Sequence, residues 1–487
     1  MHLSTSSYNR CVEQLPAASN AQQSAGLKDI YSMYVPRGPI RKYVTYFRAG
    51  GGMPLFVGHS EYYQFDHVIR HIIDRPSIET GYRDGMFGGG KGFDIAGMQI
   101  SGVAETFERA LSAFGFFNLG DKLTHGTPKD MRANGLECLG PEEMPIFAPE
   151  QFDDNRIIGS NFEPFTDNSF IGWVEGEKLV SGDKVWVPAQ LALPFYLQAE
   201  NECQIGYFTT GGLAAHISKE EAIYHGVLEL MERDKVNIRW NCGRAPERIQ
   251  LDKPVQNIEL SRLLDIAESL PINFEFYLHD NDIEDVPVVT VISNSASFKQ
   301  YAYYAGGGVG LDIEESMLYA LTEYGQSEGT LRALLLAPDW ELSNATRVLF
   351  DVEENIELED IDMFFKVVSY YGYQSNFKKL DWYLKNGKNV NLSDLPTHFD
   401  NSIETRTNKL MGILNKNNID PIMIDLSPPQ MKQMRLYKAF SPQLTPPYVQ
   451  NMPMLANPRY YDVPKKMGWS KDRLTYKDLI KAPQPYP

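Results

Sequence analysis

Two segments of this chain place glutamates three residues apart, GVAETFER at 102–109 and GVLELMER at 226–233, and they are separated by 124 residues. On an α-helix, positions three apart share a face, so Glu105 with Glu108 and Glu229 with Glu232 each direct two negative charges to one side. Clustered carboxylate oxygens are what hard divalent cations seek. The same segments hold Glu-to-Arg pairs at spacing four, Glu105 with Arg109 and Glu229 with Arg233, which also suit an ordinary solvated helix face. Repetition of the whole segment, Gly-Val included, favours two acidic pairs that converge on one cavity.

Further residues join them. Glu323 and Gln326 in ALTEYGQ repeat the spacing as ExxQ, after the run Gly306 to Gly308. On the helix that carries Glu229 and Glu232, Glu221 and His225 fall within the same arc of roughly 80°. The stretch GMFGGGK at 85–91 satisfies GxxxxGK, yet Gly92 stands where a P-loop needs Ser or Thr for its metal. It reads as a glycine turn offering backbone N–H groups and Lys91 to phosphate, with the metal left to carboxylates. Thr209 to Ala215 (TTGGLAA) is a run of small residues that lets a ligand come close to the backbone.

These groups need helices and strands to position them. Apolar periodicity predicts helices around 101–115, 219–236 and 314–335, with Ser218/Glu221 and Asp312/Glu315 as capping boxes at the second and third. Lys184–Leu193 and Pro287–Ser293 read as strands. Alternation of such elements gives an α/β fold with mixed sheets flanked by helices. Residues 1–27 form a polar tail and 28–487 a single domain, with a polar, Asn-rich surface insertion near 386–408 and a proline-rich tail over 441–487.

Composition narrows the function. Across 487 residues, 46 basic against 63 acidic side chains give a net charge of −17, which excludes a sequence-independent nucleic-acid binder. Cys11, Cys138, Cys203 and Cys242 show no zinc-site spacing. The N-terminus lacks an apolar signal core and no apolar run is long enough to span a bilayer, so a cytoplasmic protein without membrane association is expected.

Taken together, GGGKG, AETFER, VWVPAQL, TTGGLAAHISKEEAIYHGVLELMERD and ALTEYGQ resemble, in order, the motifs of the YcaO superfamily of ATP-dependent peptide-modifying enzymes. The resemblance runs over most of the chain from about residue 29. It implies a YcaO-type fold with pseudo-repeated halves that binds ATP and Mg2+. Glu105, Glu108, Glu229 and Glu232 are then metal ligands, with Glu221 a further one. Lys91, Arg37, Thr210, Gly211, His225, Glu323 and Gln326 belong to the nucleotide site. Two positions depart from the family pattern: Thr210-Gly211 replaces a frequent Ser-Asn, and Glu328 stands where an Arg is frequent, leaving Arg332 as a candidate substitute.

The ending Pro483-Gln-Pro485-Tyr-Pro487 resembles the PxPxP tail of azoline-forming members. That subclass converts Cys, Ser or Thr of a ribosomal precursor peptide into thiazoline or oxazoline rings, and it makes Pro483, Pro485 and Pro487 catalytic candidates. It further implies a ThiF-like leader-binding partner protein and an FMN-dependent azoline dehydrogenase on another polypeptide. A thioamide- or amidine-forming relative, or a non-catalytic peptide-binding scaffold, are the alternatives.

Overall fold

The computed structural model describes residues 40–46, 52–62, 87–115, 119–194, 196–295, 298–337, 347, 349–361, 364–397, 402–429, 434–448 and 452–486. Arg37, Pro487 and the polar tail over 1–27 lie outside them.

Three sheets build the described chain. The first is antiparallel, β1 (Ile40–Thr45), β2 (Phe56–Tyr62) and β3 (Phe87–Gly92), in that order. The six-stranded sheet runs β4 (Leu123–Gly126), β5 (Ile171–Lys178), β13 (Ile422–Asp425), β14 (Arg435–Phe440) and β7 (Leu213–His216), with β6 (Lys184–Pro188) also paired to β5. The five-stranded sheet is ordered β11 (Tyr303–Val309), β10 (Val288–Asn294), β9 (Phe274–His279), β8 (Glu247–Gln250) and β12 (Asn389–Asn391).

β3, β7 and β11 each lie at an end of their sheet's strand order, and each is followed directly by a long helix. These are α1 (Ile95–Gly115), α2 (Lys219–Asn241) and α3 (Ile313–Leu336). The three predicted helices are therefore present and somewhat longer than their apolar periodicity indicated. Ser218 caps α2 by accepting from the Glu221 N–H at 3.1 Å, and Asp312 caps α3 by accepting from Glu314 and Glu315.

Three expectations need correction. The glycine run at 88–90 is not a phosphate-cradling turn but part of β3, its residues paired with β2. Its glycines are there because α1 crosses so close: a Cβ on Gly88 would strike the Thr106 backbone nitrogen, and one on Gly90 the Met98 carbonyl. The expected strand over 184–193 stops at Pro188, and Ala189–Ala192 winds into a short helix after the proline. The Asn-rich stretch is more than a loop, since Asn389–Asn391 pairs in parallel with β8.

The largest core forms where α3 covers the five-stranded sheet, and Tyr486 from the end of the chain is a member of it. No helix among the described residues is long and apolar enough to cross a membrane.

Candidate active site

Each strand–helix pair is the same device. Sixteen residues separate Gly89 from Glu105, Leu213 from Glu229 and Gly307 from Glu323, and nineteen separate these strand positions from Glu108, Glu232 and Gln326. The two acidic segments seen in the sequence are thus two of three units. The third is the ExxQ segment, Glu323 and Gln326, whose helix otherwise shares little sequence with the other two.

Within each unit the first acid returns to its own strand. Glu229 Oε2 accepts from the Gly212 N–H at 3.0 Å, and Glu323 Oε2 from the Gly307 N–H at 2.9 Å. Glu105 Oε2 lies 3.7 Å from where a Cβ on Gly89 would stand. The residue three further on reaches the strand of the next unit. Glu108 Oε2 accepts from the Ala215 N–H of β7 at 2.9 Å. Glu232 Oε1 lies 2.6 Å from the Cβ position of Gly307 in β11, and Gln326 covers Gly89 in β3. First unit to second, second to third and third to first, the contacts close a ring.

The ring borders a cleft of about 710 Å3 whose lining includes Lys91, Glu105, Glu108, Glu229, Glu323, Gln326, Thr210 and Gly211. That volume is in the range of small-molecule sites. Glu232 is buried beside it and senses Glu323, Glu229 and Lys91. Crowding has an electrostatic signature. Burial, with Glu229 and Glu105 nearby, pushes the Glu108 carboxyl up to about 8. Burial likewise raises Glu232 to about 7, with Glu323 and Glu229 adding to the shift against Arg233 and Lys91. Arg109 Nη2 stands 2.5 Å from Glu105 Oε1, and Arg233 Nη2 3.7 Å from Glu229 Oε1, so the pairs that looked like surface salt bridges line the cleft instead.

The structure does not gather every predicted residue. Glu221 and His225 are absent from the cleft lining, although they share α2 with Glu229. They form a second group with His216, in which one donor atom from each lies within 4.8 Å of the others. His225 Nε2 is 3.5 Å from Glu221 Oε2, and Arg406 Nη2 is 3.5 Å from Glu221 Oε1. Burial and the neighbouring His225 ring push His216 down to about 4. The single polar stripe expected along α2 is therefore divided between two places.

The two departures from the family pattern also find physical reasons. A Cβ on Gly211 would sit 2.5 Å from Pro447 Cγ, so a larger side chain is excluded where it stands. Glu328 is buried, accepts from the Met53 N–H at 2.7 Å and pairs with Arg332 at 3.3 Å. Neither is among the residues that line the cleft, and Arg332 stands beside Glu328.

One residue escaped the sequence reading. Lys438, in the middle of β14, is buried near Glu229 and Glu108 and donates to the carbonyls of Thr209 at 2.7 Å and Gly211 at 2.5 Å. Burial lowers its ammonium to about 8, against the pull of those two carboxylates. The signal was a lone lysine within the otherwise apolar centre of RLYKAF.

The C-terminal segment enters the same cleft, where Pro483, Gln484 and Tyr486 form part of the lining. Trp240 Nε1 donates to the Ala482 carbonyl and Tyr303 Oη to that of Pro485, each at 2.7 Å, while Gln484 bonds Asn237 on α2. Pro487, the last of the predicted catalytic residues, follows directly beyond the described residues.

Five glutamates, two of them with carboxyls raised toward neutrality first by burial and then by their acidic neighbours, are an oxygen donor set that a hard divalent cation would relieve, and Lys91 adds a cation for phosphate. The bare Gly89 and Gly307 leave room for the side chains that form this cradle. The residues fit magnesium and a nucleotide. Fold and site are those of an α/β protein in which three helices turn acidic residues toward one cleft, and the glycine run before Lys91 is strand and not a P-loop.

The chain belongs to the YcaO family: the family model described as YcaO cyclodehydratase, ATP- and Mg2+-binding, matches residues 89–445. Its cofactors are ATP and Mg2+. An uncharacterized protein from Methanothermobacter thermautotrophicus is 28% identical over 259 residues, 53% of this chain and 60% of that protein. Among solved structures, a heterocyclase in complex with substrate and cofactor superposes with TM-score 0.71 at 18% identity, over 96% of this chain and 57% of that one. YcaO from Methanopyrus kandleri bound with AMPPCP and Mg2+ gives 0.54 at 18%, over 87% and 90%. The E. coli microcin synthetase McbBCD complex gives 0.55 at 16%, over 91% and 96%. The chain thus spans little more than half the length of the first relative and the first heterocyclase.

Proposed function

We propose that this enzyme is an ATP-dependent cyclodehydratase that forms thiazoline or oxazoline rings in a ribosomal precursor peptide. The observation that carries the reading is that one cleft is lined both by Glu105, Glu108, Glu229 and Glu323 and by Pro483, Gln484 and Tyr486, with Pro485 outside the lining, so a phosphoryl donor and a peptide amide would meet there.

In this proposal the side chain of a substrate Cys, Ser or Thr attacks the preceding amide carbon. The resulting oxyanion takes the γ-phosphoryl group of ATP, giving ADP. The lone pair of nitrogen then expels phosphate, and the original amide oxygen leaves on it as the C=N bond of the ring forms. Magnesium, when bound, neutralises charge on the transferring phosphoryl group. Glu105, Glu108, Glu229 and Glu232 would hold it, with Glu323 and Gln326 completing the ring. Lys91 would meet the phosphates, and Thr210 and Gly211 would form a wall for the nucleotide. Glu221 and His225 belong to the proposal only as a group next to that site. Pro483 and Pro485, with Pro487 beyond them, would orient the amide. A proline-rich segment loses little entropy when held in place, which suits that task.

A chain of the microcin synthetase McbBCD complex shares this fold, which supports partner proteins here; in this proposal they are a ThiF-like protein presenting the peptide and a separate FMN-dependent dehydrogenase acting later. The decisive experiment incubates this chain with ATP, Mg2+, a Cys/Ser/Thr-rich precursor and the ThiF-like partner. Loss of one water per ring by mass spectrometry, matched by phosphate release, is expected. Peptide-dependent phosphate release with exchange of an amide oxygen for sulfur would point to thioamide formation, water loss that leaves every Cys, Ser and Thr side chain intact to amidine formation, and no turnover to a binding scaffold.

A further inference from the structure

We infer that Lys438 is a positioning residue of the proposed magnesium–ATP site, a cation built into the fold that sets Glu229 and the Thr209–Gly211 wall through one shared peptide group. The inference rests on the cyclodehydratase reading and adds to it a residue that acts on the ligands from behind.

The argument begins with strand order. β14 lies between β13 and β7, so a lysine at its centre has strand neighbours on both sides. In the register Lys438 stands opposite Leu213, the strand position that corresponds to Gly89 and Gly307 in the other two units. Its side chain is buried, and a buried ammonium persists only with acceptors and counter-charge. Two of its three protons go to the Thr209 and Gly211 carbonyls, at 2.7 and 2.5 Å. Its acidic neighbours are Glu229 first and Glu108 second.

The carbonyl of Gly211 and the N–H of Gly212 belong to the same peptide group. Lys438 donates to the first, and the second donates to Glu229 Oε2 at 3.0 Å. Pulling electron density toward the carbonyl strengthens the N–H as a donor, so the ammonium both orients and polarises the group that holds a metal-facing carboxylate. The Gly212 carbonyl is fixed in turn by the Ala439 N–H at 2.7 Å, directly after Lys438. A left-handed backbone at Gly212, φ +83°, permits this double anchoring. Lys438 touches neither cleft nor carboxylate, and its effect passes through the peptide.

The test measures Mg2+-dependent binding of a non-hydrolysable ATP analogue to the full-length chain, in wild type, Lys438→Met, Glu229→Gln and the double variant. Lys438→Met should weaken Mg2+ affinity by about tenfold, the usual scale for partners behind metal ligands. Once Glu229 is Gln, removing Lys438 should add little, because its route to the metal is gone. Equal losses in both backgrounds, or an unchanged Mg2+ midpoint in Lys438→Met, would overturn the inference and leave the cyclodehydratase reading intact. Should Lys438→Met fail to fold, Lys438→Arg carries the test: it keeps the charge, displaces the bond to Gly211, and must still move the midpoint, an unmoved one overturning the inference. A wild-type chain that binds no magnesium–nucleotide overturns both.

Discussion

Glu108 and Glu232 are more basic in the folded, metal-free protein than any isolated glutamate, near 8 and near 7 against an ordinary 4.5. The sign of the consequence follows from linkage. A carboxyl whose pKa is raised on folding binds more protons folded than unfolded, so its contribution is full below the unfolded value and lost as pH rises through the folded one. The metal-free protein should therefore lose stability between pH 4.5 and about 8. A divalent cation must displace those protons, so Mg2+ affinity should climb over the upper part of that window, and binding at neutral pH should release protons. Thermal melts across pH with and without Mg2+ check the first statement. Calorimetry in buffers of different ionisation enthalpy checks the second, and an affinity flat between pH 6 and 8 would show that these two groups do not face the metal.

At the level of elements, the helices were legible and the strands before them were not. ExxE spacing, Ser218 and Asp312 as N-caps and the apolar rows around Val103 and Val227 are local signals that are realised, while the return bonds from Glu221 and Glu315 that would complete the expected capping boxes are not formed. Glycine has no preference for strands, so GGG at 88–90 and 306–308 reads locally as a turn or a flexible run. What makes these runs strands is tertiary: α1 lies on β3 and α3 on β11 with no room for a Cβ between them. Neighbouring glycines therefore carry different burdens. A Cβ on Gly306 would strike the Tyr324 backbone nitrogen, whereas the nearest atoms to one on Gly307 are those of the Glu232 and Glu323 carboxylates. Gly306→Ala should lower the melting temperature strongly because helix backbone cannot yield. Gly307→Ala should fold nearly as well as wild type and lose most of its Mg2+–ATP affinity. If the two variants lost stability and affinity in the same proportion, the strand glycines would have a packing role only.

For the whole molecule, the question is how the last residues come to lie in a cleft made by elements from much earlier in the chain. The sequence showed the PxPxP ending and not its path, because that path depends on a partner for α2 some 225 residues away: Arg459 and Asp234. Arg459 sits at the start of the helix Arg459–Lys466 and bonds Asp234 in α2 at 2.6 Å and Asp282 at 2.8 Å. Asp234 is fully buried and is also held by Asn281 and by the Thr445 N–H. From this clamp the chain runs on along α2, where Asn241 exchanges bonds with Ile480 at 2.7 and 2.8 Å, and ends in the core with Tyr486. Arg459→Met should leave Asp234 without its counter-charge at a cost of about 3 kcal/mol, the low end for a broken buried pair because two other donors remain. Stability falls locally before it falls globally, so hydrogen exchange in 474–486 should quicken while α1 and the first sheet stay protected. The proposed cyclisation should then drop more than Mg2+–ATP binding, since the ring contacts of Glu229 with Gly212 and of Glu108 with Ala215 involve no residue of 474–486. Equal protection of 474–486 in variant and wild type would mean that the clamp stabilises α2 alone, and that the proline segment finds the cleft by its own contacts with Trp240 and Tyr303.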